Sequence, residues 1–288
     1  MLDPDQYDDV AERFDRYAER TTGPITECLM EMTRIGAGQQ VLDVACGSGV
    51  VTRRAAAIVG PAGRAIGIDL SPGQIAVAAR RAQTEGCSWS KFIVMDALHL
   101  EFAEETFDAV VAQYPHLPDR QRCLREMARV LKSGGRLAIC NGGGGAALWP
   151  LANAPLDAVV APDAIVDGLF MTCLETHFPD VLQGSGGAAP QAQADPQAAL
   201  RDELEQAGLS EIALWSYGYA TPFHSAAEAF EWESIRCSLY RMHQADLDAA
   251  CVVAFRQDYL QQAQAKLEHH GGLGVSTGAL FGAATKFN

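Results

Sequence analysis

Three aspartates in the first third of the chain sit in or just after short apolar runs. Asp43 lies inside Val41-Leu42-Asp43-Val44, Asp69 follows Ala65-Ile66-Gly67-Ile68, and Asp96 follows Ile93-Val94-Met95. Ala45-Cys46-Gly47-Ser48-Gly49 comes directly after the first run and makes a tight turn, and Val50 onward can start a helix. A carboxylate about 20–30 residues past such a turn, at the end of the next strand, is placed to accept hydrogen bonds from ribose hydroxyls. Taken singly, each acid also fits a solvated strand end, and that is the reading preferred for Asp108 in Phe107-Asp108-Ala109-Val110-Val111. Taken together, they point to ligand binding at the carboxyl edge of an open α/β sheet. The ligand is not a dinucleotide, because Val50, Val51 and Thr52 stand where a third glycine would let a pyrophosphate rest on the helix end. No Gly-Lys-Ser/Thr follows either, which excludes a Walker loop. A ribose-bearing, phosphate-free ligand fits best.

The elements that would position these residues alternate regularly. Residues 7–21 read as a helix with Val10, Phe14, Tyr17 and Ala18 on one face; Gly23-Pro24 is expected to break it, and a second helix carries Ile25, Leu29 and Met32 to Gly36. Strands are expected at 40–44, 64–68, 91–95, 107–112 and 136–140. Helices follow the first, second and fourth of these, two of them announced by Ser71-Pro72 and Asp119 as N-caps. Further on, a helix is expected at 196–207, a strand at 211–217, helices at 226–242 and 247–269, and a final antiparallel strand at 277–285. Residues 146–182 look helical, and 183–198, rich in Gly, Ala, Gln and Pro, read as a loop. Short turns between strands and helices imply right-handed crossovers and a doubly wound sheet. The expected organisation is an N-terminal helical cap (1–38), a ligand-binding α/β core (39–145), a helical and loop insertion acting as a lid (146–195), and the C-terminal part of the sheet with inserted helices (196–288).

Composition narrows the partners. A 48% hydrophobic, 20% charged chain of 288 residues can bury a sizeable core. Lys and Arg number 22 against 36 Asp and Glu, a formal charge of −14, which disfavours nucleic acid and anionic membrane surfaces and favours a small neutral or cationic molecule. The acidic start Met1-Leu2-Asp3-Pro4-Asp5 is not a signal peptide, and no run is long enough to span a bilayer, so a cytoplasmic protein is expected. The 8 cysteines are scattered, without a Cys-x-x-Cys pair, and read as reduced core residues. The 7 histidines lack zinc spacing, so no metal site is expected. Oligomeric state is not readable.

The motifs taken together are similar to those of class I S-adenosylmethionine-dependent methyltransferases. Val41–Gly49 resembles the first motif, Gly67-Ile68-Asp69-Leu70-Ser71 the second, Met95-Asp96-Ala97 the third and Phe107–Val111 the fourth. Leu124–Leu137 resembles the helix–turn–strand of the subgroup that holds the ubiquinone/menaquinone C-methyltransferases and many small-molecule enzymes, including those of secondary metabolism. The resemblance is close over 40–140 and barely touches 141–288. It implies a Rossmann-like, mostly parallel seven-stranded sheet with an antiparallel last strand, N-terminal helices and a helical lid. It implies S-adenosylmethionine as cofactor and S-adenosylhomocysteine as product. By position, Asp43 with Ala45 would order the amino group of the cofactor, and Gly47 and Gly49 would let the backbone approach its methionine part. Asp69 would take the ribose hydroxyls, with Leu70 packing on adenine; Asp96, with Ala97 beside it, would take the adenine amino group. Gln113 would line the path to the sulfonium methyl, and Tyr17 would lie over the cofactor or else be a core aromatic.

The implied reaction is methyl transfer to O, N or C of a small metabolite, driven mainly by proximity and desolvation. His116, in Tyr114-Pro115-His116-Leu117-Pro118-Asp119, is the first candidate for a base, with Tyr7 and His224 behind it. Trp149, Phe170, Trp215, Tyr217 and Trp232 are candidate pocket aromatics, the alternative being core packing. The run Asn141-Gly142-Gly143-Gly144-Gly145 departs from the family and reads as a hinge or a surface loop. Two other readings keep the fold: a non-methylating user of the same cofactor, such as a cyclase or another alkyl transferase, and a catalytically silent cofactor-binding protein.

Overall fold

A computed structural model describes residues 5–142, 166, 168–180 and 195–287. The expected lid helices over 146–165, with Trp149, and most of the 183–198 loop lie outside these residues, as do Gly143, Gly144 and Gly145.

The chain opens with helices α1 (Asp5–Asp8) and α2 (Ala11–Thr33). Gly23-Pro24 does not break the helix as expected; it sits inside α2. Proline there removes one backbone donor and crowds the carbonyl one turn earlier. Packing outweighs that cost: Thr21, Ile25 and Leu29 are fully buried. The hydroxyls of Thr21 and Thr22 donate to the carbonyls of Tyr17 and Ala18 at 2.8 and 2.6 Å, satisfying these side chains within the helix just ahead of the proline.

Seven strands form one sheet: β1 (Gln40–Val44), β2 (Arg64–Asp69), β3 (Ser90–Val94), β4 (Phe107–Gln113), β5 (Leu131–Gly142), β6 (Leu209–Phe223) and β7 (Leu273–Lys286), in the order β3-β2-β1-β4-β5-β7-β6. The first five are parallel, and β7 runs antiparallel to β5 from Arg136↔Thr285 to Gly142↔Ala279. Strands β5, β6 and β7 run longer than the sequence pattern indicated, because pairing carries them past the ends of their apolar cores. Val41, Leu42, Val110, Val111, Leu137 and Ile139 are completely buried, as strands covered on both faces require.

Helix α3 (Val50–Val59) packs on β1 and β2, α4 (Pro72–Thr84) on β2 and β3, and α5 (Arg120–Val130) on β5. Right-handed crossovers that step one way from β1 to β3 and the other way from β4 to β5 place α3 and α4 on one face and α5 on the other. The direction reverses between β1 and β4, which makes their carboxyl ends the switch point of the sheet. The close approach of α3 depends on two glycines. A Cβ on Gly67 would lie 2.5 Å from Thr52 Oγ1 and 2.9 Å from Cys46 Sγ; one on Gly49, whose φ is 82°, would lie 2.7 Å from the Phe92 ring. A long strand–helix contact that other folds obtain from a third loop glycine comes here from Gly67 in the neighbouring strand.

The chain divides into two compact units: Met1–Gly142 with Ala194–Ser216 and Ala279–Asn288, and Gly143–Gln193 with Tyr217–Gly278. The first holds β1–β5, helices α1–α5, helix α7 (Pro196–Gln206) and the sheet-forming parts of β6 and β7. The second holds α6 (Leu169–His177), α8 (Ala226–Arg236), α9 (Ser238–His243) and α10 (Ala249–His270). The single helix expected over 226–242 is two, divided at Cys237, whose backbone leaves the helical region at ψ 95°. Phe170 is the hub of this unit, with the rings of Phe230, Tyr240, Phe255 and Tyr259 between 5.1 and 6.0 Å away. Among the described residues no helix is long and apolar enough to cross a membrane.

Candidate functional site

Asp43 is a buried carboxylate of the first unit. It points out of the middle of the sheet at 1% exposure. Its Oδ2 accepts from Thr52 Oγ1 at 2.6 Å, and its Oδ1 has no partner among the described residues. Burial pushes its carboxyl up to about 7, helped by the nearby charge of Asp69 and opposed by the Thr52 hydroxyl.

The loop after β1 is built to hold backbone groups in fixed directions. Ala45 adopts φ 58°, a left-handed conformation that costs a non-glycine residue roughly 1 kcal/mol or more. The buried Arg53 guanidinium donates to the Ser48 carbonyl at 2.6 Å and pairs with Glu85 at 2.9 Å. Gly47 N donates to Asp69 Oδ2 at 2.9 Å, while Ser71 N donates to Asp69 Oδ1 at 3.0 Å. The Leu70 backbone amide adds to these, and of the roughly four lone pairs on the two oxygens acceptor capacity remains for a further donor. Burial raises the Asp69 carboxyl too, against the pull of those backbone amides. A Cβ on Gly47 would touch Gln74 Oε1 at 3.8 Å and the Phe14 ring at 4.0 Å, and the φ of 52° itself favours glycine there. Gly49 differs: the space a side chain would need is filled by Phe92 and Ala78, which gives it a packing position at the start of α3.

The remaining expected ligand residues line the same edge. Leu70 is an exposed large apolar side chain beside Asp69. Asp96 is exposed, with Oδ1 accepting from Leu98 N at 2.9 Å, and Ala97 lies half-buried next to it. Gln113 ends β4, but its amide reaches α2: Thr26 Oγ1 donates to Oε1 at 2.8 Å, and Nε2 donates to the Thr22 carbonyl at 3.5 Å. It therefore ties the N-terminal helix to the switch point. Tyr17 is buried on that helix with the Arg20 guanidinium 5.6 Å over its ring.

Two residues far apart in sequence meet here. The rings of Tyr7 and His116 lie 5.8 Å apart. His116 is exposed on the loop that leaves β4 through Tyr114, another left-handed residue at φ 51°. His224 is exposed ahead of α8, and Phe170, Tyr217 and Trp232 also belong to the second unit. Trp215 stacks on Phe281 of β7 at 5.5 Å, a sheet-face contact. Asp108 is more than a solvated strand end: it takes Lys132 Nζ at 2.7 Å and Gln40 N at 2.8 Å, joining three strands at the opposite edge.

Sequence reading missed Asp8. Its Oδ1 accepts from Ser71 Oγ and from Gly73 N at 2.7 Å, so α1 docks on the first turn of α4. Gly73 makes room, since a Cβ there would lie 2.8 Å from the Asp8 Cα. The dock continues along α2 through Glu12 with Arg80 and Asp15 with Arg81, each 2.6 Å apart. The spacing Asp8, Glu12, Asp15, Glu19 marks one helical face and was the available signal.

The strand order β3-β2-β1-β4-β5-β7-β6, with the first five strands parallel and β7 antiparallel, makes this a Rossmann-like α/β fold. The same fold occurs in a chain from the complex between the Haloferax volcanii Trm112 methyltransferase activator and a methyltransferase, at TM-score 0.55 and 18% identity over 99% of this chain and 97% of that one. Residues 41–135 match the family described as methyltransferase domain. Methyltransferase GfsG of Streptomyces halstedii is 38% identical over 143 residues, 48% of each chain. The ubiquinone/menaquinone biosynthesis C-methyltransferase UbiE of Ectopseudomonas mendocina is 34% identical over 113 residues, 38% of this chain and 44% of its own. The chain thus matches about half the length of these relatives.

Proposed function

We propose that the protein is an S-adenosylmethionine-dependent methyltransferase acting on O, N or C of a small molecule. The observation that carries this reading is the pair of carboxylates at the switch point. Asp69, fixed by two backbone amides, retains acceptor capacity for a vicinal diol, and Asp43 has a buried oxygen in want of a donor. A nucleoside with an ammonium group supplies both. The glycine backbone at Gly47 and the exposed Leu70 face suit the thioether chain and the base, and the resemblance gives Asp96, exposed after β3, and Ala97 to the adenine amino group. Bound there, S-adenosylmethionine supplies a methyl group already activated on a sulfonium.

The protein's own part is to hold the acceptor in line and to exclude water. Where the acceptor is a hydroxyl or an acidic carbon, His116 beside Tyr7 is the group placed to take its proton. A formal charge of −14 and the UbiE relative favour a small acceptor that is not strongly anionic. Eight free thiols suit the reducing cytoplasm.

Calorimetric titration with S-adenosylhomocysteine tests the site. The wild-type chain is expected to bind it, and Asp69→Ala to abolish binding; undiminished binding by that variant would overturn the assignment. Product analysis then separates the chemistries, since methyl transfer releases S-adenosylhomocysteine, whereas other alkyl transfer releases methylthioadenosine.

A further inference from the structure

Ser71-Pro72-Gly73-Gln74 has the form of a capping box, in which the fourth residue's amide normally returns to the backbone N–H of the first. Half of that box is present: Gln74 N donates to Ser71 Oγ at 3.0 Å. The other half is pre-empted, because Ser71 N is already held by Asp69. The Gln74 carboxamide is therefore released from capping, yet it is only 4% exposed.

It is used in two directions. Nε2 donates to the Tyr7 carbonyl at 3.4 Å, which fixes the orientation of the amide, since a carbonyl can face only the NH₂ end. Oε1 is then turned the other way, toward Gly47, where it stands 3.8 Å from the position of a Cβ and has no partner among the described residues. A buried amide oxygen without a donor is costly unless something that binds there supplies one. It stands beside the glycine whose amide holds Asp69.

We infer that Gln74 couples the ligand cradle to the N-terminal segment: its amide oxygen accepts from a hydroxyl or ammonium donor of the bound cofactor while its amide nitrogen holds Tyr7. This rests on the cofactor reading above. Gln74 is a positioning residue, acting on the Tyr7–His116 pair through the backbone of α1. Asp8 is the second hold on the same segment, so ligand binding and docking of α1 must favour each other by the same factor.

The test uses the full chain with S-adenosylhomocysteine as probe, on wild type, Gln74→Met, Asp8→Ala and the double variant. Methionine keeps length and burial while removing both hydrogen bonds. Gln74→Met is expected to weaken binding by roughly 3- to 10-fold, the worth of one neutral hydrogen bond. Asp8→Ala is expected to weaken binding severalfold in the wild-type background and to add nothing in Gln74→Met. Hydrogen exchange at residues 7–10 is expected to slow on ligand addition in the wild type and to stay unchanged in Gln74→Met. Should Gln74→Met fail to fold, ligand-dependent protection of 7–10 in wild type and its loss in Asp8→Ala decide the matter. Unchanged affinity in Gln74→Met, or effects of the two substitutions that multiply, overturn the coupling and leave the cofactor site standing. A wild-type chain that does not bind the probe overturns both.

Discussion

Asp43 gives the cradle a pH response. A carboxyl pushed up to about 7 is largely protonated at pH 6 and largely ionised at pH 8. An ammonium group favours the ionised form, so S-adenosylhomocysteine affinity is expected to fall by up to about tenfold from pH 8 to pH 6. Titrations across that range check it, and a flat profile contradicts the placement of the ammonium at Asp43. The same group bears on stability with a definite sign. Its folded-state pKa is raised, so the proton it holds stabilises the fold fully below the unfolded value near 4, and that contribution is lost as pH rises through 7. Asp43→Asn removes the titration. Above pH 7 the ligand-free variant is expected to melt higher than wild type, by about 1 kcal/mol of stability, while binding the probe worse. Thermal melts from pH 4 to pH 8 would show the gap widening between pH 4 and pH 7 and levelling off above it.

Among the elements, the α3–β2 contact and helix α2 make opposite predictions for glycine replacement. Gly67→Ala drives a methyl into Thr52 Oγ1 and Cys46 Sγ and is expected to cost about 1–3 kcal/mol in urea denaturation. Gly23→Ala meets nothing within 4 Å inside α2 and is expected to stabilise by about 0.5–1 kcal/mol. The parallel strands and their turns were legible because local pattern determines them: apolar runs, Ser71 and Asp119 as caps, and acids at strand ends. Continuity of α2 through Pro24 was not, because it is held by burial of Thr21, Ile25 and Leu29 against elements distant in sequence. At the site, the positions of Asp43, Gly47 and Asp69 at the carboxyl edge were legible in the strand-and-turn pattern, while the roles proposed for Asp43 and Gly47 came from the family resemblance. Gln74 and Asp8 could not: the first looks like an ordinary capping residue until Asp69 takes its partner, and the second becomes visible only when α1 meets α4. The division at Cys237 has no Pro or Gly to announce it.

For the molecule as a whole, the two units rest on different cores. The first depends on aliphatic strands, the second on the ring cluster around Phe170. Phe170→Ala is expected to cost about 3–5 kcal/mol, read in denaturation followed by near-ultraviolet signals of the aromatic cluster, while tryptophan-free regions of the first unit keep their protection in hydrogen exchange. The antiparallel pairing of β5 with β7 has a further consequence during synthesis. Every residue from Arg136 to Gly142 waits for a partner that is translated roughly half a chain later. At ribosomal speeds that is on the order of 10 s, during which a fully apolar strand, Leu137-Ala138-Ile139-Cys140, stands with one edge unpaired. The nascent chain therefore has its most aggregation-prone interval after its cofactor half has been made and before its sheet can close, and this is the window in which a chaperone would find something to hold.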